Sequence, residues 1–298
     1  MTDGPATAGF TSAWSRSADG FRLHARVYGD GASGRMPVVG LPGLTRNASE
    51  FHHLALALLD LDAADRVIAV DYRGRGLSDH DPDPSHYTVP VETADLLALL
   101  TDLGVTHAVF AGVSRGGLIA MGLGAMRPDL VRGIVLNDIG PVVERAGLMR
   151  IKGYVGTFGA PPDYGAGAAH LRSTFGAQFP NLTPAEWEDW ARTVWTGEPG
   201  HLALAYDTAL ARTLDGVTAD APIPDLWPLF DKLAGIPMLV VRGGLSDLLS
   251  AETVAEMARR HPGLEAIEAD DEGHTPFLHR PAIAQRMAAF VGRSGEAR

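Results

Sequence analysis

The chain has 298 residues, 46% of them hydrophobic and 20% charged, enough for one large α/β domain or two ordinary ones. Its 25 basic and 36 acidic residues leave a net charge of −11, which argues against a nucleic-acid surface. With no cysteine, a disulfide framework, a thiolate zinc site and a cysteine nucleophile are all excluded.

The opening MTDGPATAGF has neither a basic n-region nor an apolar h-region, so no signal peptide is expected. No apolar run reaches the roughly 20 residues of a membrane span. A cytoplasmic location with no membrane partner is the expectation. SRSADGFRLHARVYG reads as two strands joined by a turn at Asp19-Gly20,. Buried strands follow in MPVVGL (36–41), RVIAVD (66–71), HAVFAGV (107–113), VRGIVLND (131–138), PMLVVRG (237–243) and LEAIEA (264–269). Helical spacing fills the intervals in EFHHLALALLDL, VETADLLALLTDLG, the segment after Ser114, and AETVAEMARR,. Strands alternating with such helices imply a mostly parallel sheet covered on both faces, with an antiparallel hairpin at its leading edge.

That rhythm breaks between about Val142 and Asp225, where no convincing strand occurs. Nine of the 21 aromatic residues fall there, against about six for an even spread. In TPAEWEDWARTVW, Thr183 suits the N-cap, Pro184 the first turn and Glu186 a capping box. Trp187, Trp190, Val194 and Trp195 share one face. The expected division is a core domain of residues 1–141 and 226–298 and a helical cap of residues 142–225.

Three glycines surround Ser114 in FAGVSRGGLIAM. Glycine inside a helix costs about 1 kcal/mol relative to alanine, so this boundary needs missing side chains. A G-x-S-x-G turn between strand and helix holds its serine in a strained conformation, hydroxyl outward, and tolerates no bulk two residues away on either side. The helix N-terminus directs backbone N–H groups at an anion forming there. The strand MPVVGL runs into LPGLTRN, where the Leu44 N–H can join that of Arg115 in an oxyanion hole.

A serine nucleophile needs a base. His274, in ADDEGHTPF, follows the last strand on a loop rich in turn formers. His52 and His53 fall in a helix, His170 and His201 in the cap, and His279 beyond Pro276, in surface or packing roles. Two acids compete to orient His274. Asp247 lies past PMLVVRG in a turn that Gly243-Gly244 frees to reach across, and is favoured. Asp138 ends VRGIVLND and points to the same end of the sheet.

Taken together, these motifs resemble the α/β-hydrolase superfamily across residues 12–293: LPGL at 41–44, DYRGRGLSD at 71–79, GVSRGG at 112–117, NDIGP at 137–141, RGGLSDLLS at 242–250 and DEGH at 271–274. Each is weak alone, and six in the family's order are strong. The resemblance implies an α/β-hydrolase fold with eight mostly parallel strands and a helical cap after the sixth. It also implies Ser114 as nucleophile, His274 as base and an acid after the seventh strand, here Asp247. Related haloalkane dehalogenases carry an acid after the sixth strand, which keeps Asp138 in contention. Their aspartate nucleophile, like that of epoxide hydrolases, is replaced here by serine. Pro42-Gly43 also departs from the family's common His-Gly, without removing the backbone donors.

The function expected is cleavage of a small-molecule carboxylic ester through an acyl-enzyme, with no metal or organic cofactor. A lactone, an amide or a carbon–carbon bond is the scissile group in some relatives. Ligand receptors and cofactor-free lyases or oxygenases form the other class. Trp187, Trp190 and Trp195 are candidate substrate contacts, although packing is the commoner use of such a face. Arg115, Arg145, Arg150 and Lys152 could hold a substrate carboxylate, against the commoner reading of solvated charges. Asp71 and Asp79 are expected to buttress the sheet edge.

Overall fold

The computed structural model describes residues 9–296, so most of the amino-terminal stretch read above lies outside it. The strands are β1 (Thr11–Arg16), β2 (Arg22–Gly29), β3 (Val38–Leu41), β4 (Arg66–Asp71), β5 (Ala108–Val113) and β6 (Val131–Asn137), then β7 (Trp195–Thr196), β8 (Ala203–Leu204), β9 (Met238–Gly243) and β10 (Leu264–Ala269). The helices are α1 (His52–Asp60), α2 (Val89–Asp102), α3 (Arg115–Met126), α4 (Arg145–Tyr154), α5 (Tyr164–Phe175), α6 (Pro184–Val194), α7 (Trp227–Phe230), α8 (Ala251–Arg260) and α9 (Pro281–Glu296). Among the described residues no helix is long and apolar enough to cross a membrane.

Eight strands form one sheet in the order β1-β2-β4-β3-β5-β6-β9-β10. β2 pairs antiparallel with β1 and with β4, and the remaining pairs are parallel. β3, β5, β6 and β9 are fully or almost fully buried along their length, as parallel strands covered on both sides must be. On one face Leu96, Leu99, Ile119 and Met257 of α2, α3 and α8 close the core. On the other, Leu54, Leu58, Met287 and Phe290 of α1 and α9 do the same.

Register sets up the site. Leu41 lies opposite Gly112, Val113 opposite Asn137, and Asn137 opposite Val241. The chain therefore leaves β3, β5, β6 and β9 along a single carboxyl edge. The strand order reverses between β3 and β5, and α/β sheets bind ligands outside such a switch point.

Between β6 and β9 the chain builds a helical layer with its own apolar cluster, in which Phe175, Phe179, Trp187, Trp190 and Trp195 pack together. The capping box at Thr183 and Glu186 forms as the sequence suggests. The segment does hold a strand pair: β7 and β8 make an antiparallel ladder of two residues each, too short to leave an alternating pattern in the sequence.

Candidate active site

Ser114 stands between β5 and α3 with φ +50° and ψ −113°, a backbone region costly for any residue with a Cβ. The three glycines permit it. A Cβ on Gly112 would lie 2.5 Å from the Gly116 carbonyl, one on Gly116 2.0 Å from the Leu41 oxygen, and one on Gly117 2.2 Å from the Ile139 side chain. The Ser114 amide donates to the Asn137 oxygen at 3.0 Å, tying the turn to the end of β6.

His274 lies in the loop between β10 and α9 and is 7% exposed. Its Nε2 is 3.0 Å from Ser114 Oγ, and its Nδ1 is 2.8 Å from Asp138 Oδ2. A carboxylate at Nδ1 assigns the proton to that nitrogen and leaves Nε2 to accept from the serine. Asp138, the first residue after β6, has φ +53° and is fully buried. Its Oδ1 accepts from the Gly243 N–H at 2.9 Å and its Oδ2 from Ser246 Oγ at 2.5 Å. A buried carboxylate needs such partners to stay charged.

Asp247, favoured from the sequence, is elsewhere. Its carboxylate accepts from Arg150 Nε at 2.6 Å and Nη2 at 2.7 Å, and its carbonyl from the Gly147 N–H at 3.0 Å. Gly243 and Gly244 explain the difference. A Cβ on either would lie 2.5 Å from a carbonyl oxygen of the loop after β10. The turn thus presses its backbone onto the His274 loop, places the Gly243 N–H and Ser246 on Asp138, and turns Asp247 towards α4. Burial pulls the Asp247 carboxyl up, but the hydrogen bonds and charge of Arg150 hold it below the usual carboxylate value.

The loop after β3 passes close to the nucleophile: a Cβ on Gly43 would lie 3.9 Å from Ser114 Cβ. Its own amide is occupied, donating to Glu50 Oε2 at 3.1 Å. Among the described residues, the Leu44 and Arg115 amides donate to no protein acceptor. Both are thus free for a ligand oxygen. Burial pushes the Glu50 carboxyl above its ordinary value, while nearby Arg46 and the Gly43 amide oppose that.

Sequence reasoning missed the frame beneath this loop. Arg75 donates to the Leu44 carbonyl at 2.9 Å and pairs at 2.7 Å with Glu92, both side chains wholly buried. Arg115 Nε donates to the same Glu92 at 2.6 Å, which turns its side chain away from the site. An arginine between two glycines in DYRGRGLSD is the one sequence signal for this frame. Asp71 does buttress the edge, accepting from the Ala48 and Leu77 amides and contacting His24 Nδ1 at 2.7 Å. Asp79 pairs with Arg22 at 3.0 Å.

The tryptophans divide. Trp195 is 1% exposed and donates its indole N–H to the Gly159 oxygen, while Trp187 stacks on Trp190 at 5.3 Å. Trp190 also meets Phe277 of the His274 loop edge-on at 5.6 Å. It lines a cavity of about 390 Å³ together with Arg46, Glu50, Phe277, Val113 and Thr275. Ser114 and His274 do not line this space themselves; their chain neighbours do. The other cations read as possible anchors are committed: Arg145 to the Thr218 oxygen and Lys152 to those of Asp215 and Val217. Asp19, Asp81 and His86 have the spacing of a metal site, but Arg73 bonds both aspartates at 3.0 and 2.7 Å and already supplies the cation.

A serine, a histidine and an aspartate in hydrogen-bonded series at the carboxyl edge of such a sheet define a hydrolase-like class of site. Residues 38–286 match the alpha/beta hydrolase family, and the chain belongs to that family. It is 36% identical over 281 residues to the 3-hydroxybutyrate-oligomer hydrolase of Cupriavidus necator, covering 91% of this chain and 94% of that one. It is 30% identical to the 2-(acetamidomethylene)succinate hydrolase of Mesorhizobium japonicum, over 78% of this chain and 79% of that one. The crystal structure of an alpha/beta hydrolase from Novosphingobium aromaticivorans superposes with a TM-score of 0.88 at 39% identity, covering 97% of this chain and all of the other.

Proposed function

We propose that this hydrolase cleaves a carboxylic ester of small hydroxy acids, with Ser114 as nucleophile, His274 as base and Asp138 as the acid that orients it. The observation that carries the reading is the continuous series Ser114 Oγ, His274 Nε2, His274 Nδ1, Asp138 Oδ2, at 3.0 and 2.8 Å. His274 takes the serine proton as Oγ attacks the carbonyl carbon, and Asp138 stabilises the imidazolium. The Leu44 and Arg115 amides receive the developing oxyanion, where one donor is worth about 2.7–4 kcal/mol. His274 then protonates the leaving alkoxide. Water, activated by the same imidazole, releases the acid and restores the serine. Residues 142–225 serve as the cap over this site, with Glu186, Asp189, Trp190, Arg192 and Thr193 lining the cavity from that side.

The ester class is supported by the Cupriavidus necator relative, named for 3-hydroxybutyrate oligomers and similar to this chain along nearly its whole length. The test is a fluorophosphonate probe with mass-spectrometric location of the adduct, run beside hydrolysis of the 3-hydroxybutyrate dimer. Labelling at Ser114 that disappears in Ser114→Ala and nearly disappears in His274→Ala is expected. A folded wild-type protein that neither labels nor turns over the dimer would refute the proposal.

A further inference from the structure

Arginine is almost never buried without a partner. Arg115, Arg145, Arg150, Arg73 and Arg75 obey that rule here, each holding a carboxylate or a carbonyl. Arg46 does not. It is half-buried on the loop after β3, and among the described residues no carboxylate oxygen comes within 4.0 Å of it and its guanidinium meets no protein acceptor. The group lies instead over the Trp190 ring, 4.9 Å from its centroid, and faces the cavity of about 390 Å³.

Arg46 is also next to the chemistry. A Cβ built on Gly43 would stand 3.4 Å from Arg46 Cγ and 3.9 Å from Ser114 Cβ. Stem and nucleophile thus flank the same glycine, and the guanidinium extends from there into the cavity. Glu50, the acid nearest in sequence, gives its Oε2 to the Gly43 amide; the Arg46 charge favours its ionised form through space while burial opposes it, without a direct pair between the two. An aromatic plate beneath a planar cation fixes the guanidinium while leaving its N–H fork to an outside acceptor.

We propose that Arg46 reads a free carboxylate on the substrate, so that the enzyme cleaves the last ester bond at the carboxylate end of a short hydroxy-acid oligomer. This rests on the ester reading above and adds the direction of cleavage. The terminal unit leaves as the alcohol. Its ester C–O bond breaks as the Ser114 acyl bond forms, the alkoxide takes the proton from His274, and water supplies the second oxygen of the remaining acid. A fork of charged hydrogen bonds to a carboxylate anchors that end while the carbonyl rests against the Leu44 and Arg115 amides.

The experiment compares the 3-hydroxybutyrate dimer as free acid with its methyl ester, in two arms. In turnover, wild type favours the acid in kcat/KM by roughly ten- to a hundredfold, the worth of a charge-assisted hydrogen bond. The preference resides in KM. It collapses towards unity in Arg46→Gln and partly survives in Arg46→Lys. In binding, calorimetry on Ser114→Ala shows the acid held more tightly than the methyl ester, and Arg46→Gln in that background removes the difference. Hydrolysis of both compounds without preference, or a preference that persists in Arg46→Gln, overturns the inference and leaves the ester reading standing. Arg46-dependent binding of the acid without turnover keeps Arg46 as a carboxylate-binding residue but overturns the ester reading and, with it, the direction of cleavage.

Discussion

Replacing Asp138 by asparagine is the sharpest probe of the site, because the hydrogen bonds around it dictate how the amide must sit. Oδ1 receives the Gly243 N–H at 2.9 Å, and a backbone amide can only donate. The asparagine oxygen therefore stays there, and its NH₂ takes the place of Oδ2, which meets His274 Nδ1 at 2.8 Å and Ser246 Oγ at 2.5 Å. A donor facing Nδ1 forces the imidazole proton onto Nε2, where it opposes the Ser114 hydroxyl. The shape is unchanged and the tautomer is wrong. Comparable tautomer traps lower kcat by about 10⁴, equivalent to about 5.4 kcal/mol of barrier. Asp247→Asn is the counterpart. It weakens a pair whose side chains are 26% and 31% exposed, costing about 1 kcal/mol of stability, and changes kcat by less than about threefold. Steady-state turnover of p-nitrophenyl butyrate, with thermal melts to confirm folding, separates the two. A folded Asp138→Asn that keeps more than about a tenth of kcat, or an inactive but folded Asp247→Asn, would refute the assignment.

Two glycines of α3 make a matched pair: Gly116→Ala puts a methyl 2.0 Å from the Leu41 backbone oxygen, whereas Gly122→Ala meets nothing within 4 Å. Gly116→Ala is expected to lose several kcal/mol or fail to fold, and Gly122→Ala to gain about 0.5–1 kcal/mol; equal melting temperatures would contradict the close approach. His279 has its pKa lowered from 6.5 to about 4, chiefly by burial and then by His53 and Arg280, so the unfolded chain binds its proton first and acid favours unfolding. Stability is therefore expected to fall as pH drops from about 6.5 to about 4, and urea titrations should show a shallower fall in His279→Gln. Glu186 is held at a pKa of about 2 in the fold although burial opposes it, so below about 4.5 only the unfolded carboxyl takes up a proton and this residue steepens the fall at the acid end of that window.

The sheet was legible because buried parallel strands are continuous apolar runs, and the elbow because Gly112, Gly116 and Gly117 are each demanded by a contact of 2.5 Å or less. His274 was legible from its loop alone. The acid was not. Asp138 and Asp247 both follow strands that end on one edge, and only the packing of Gly243 and Gly244 against the His274 loop decides which carboxylate faces the imidazole. That contact joins segments about thirty residues apart and leaves no local pattern. The buried Arg75–Glu92 pair was hidden for the same reason, since charge in a sequence reads as surface until its partner is found. Arg46 leaves no local pattern either, because the ring it lies on, Trp190, is far along the chain.

The Asp247–Arg150 pair has a consequence for how such an enzyme changes its diet. With Asp138 on the strand beside that of Ser114, the proposed triad draws on the ends of β5 and β6 and on the loop after β10. The turn after β9 keeps only a backbone N–H and the Ser246 hydroxyl in that service, and its aspartate grips α4 instead. One turn thus joins the Asp138 carboxylate to α4. The helical segment is tied to the sheet elsewhere as well, by Asn47 on the Thr193 oxygen, Tyr87 on Asp207 and Asn181 on Asp271, so a replacement segment must restore several such grips for the Asp138 turn to keep its place.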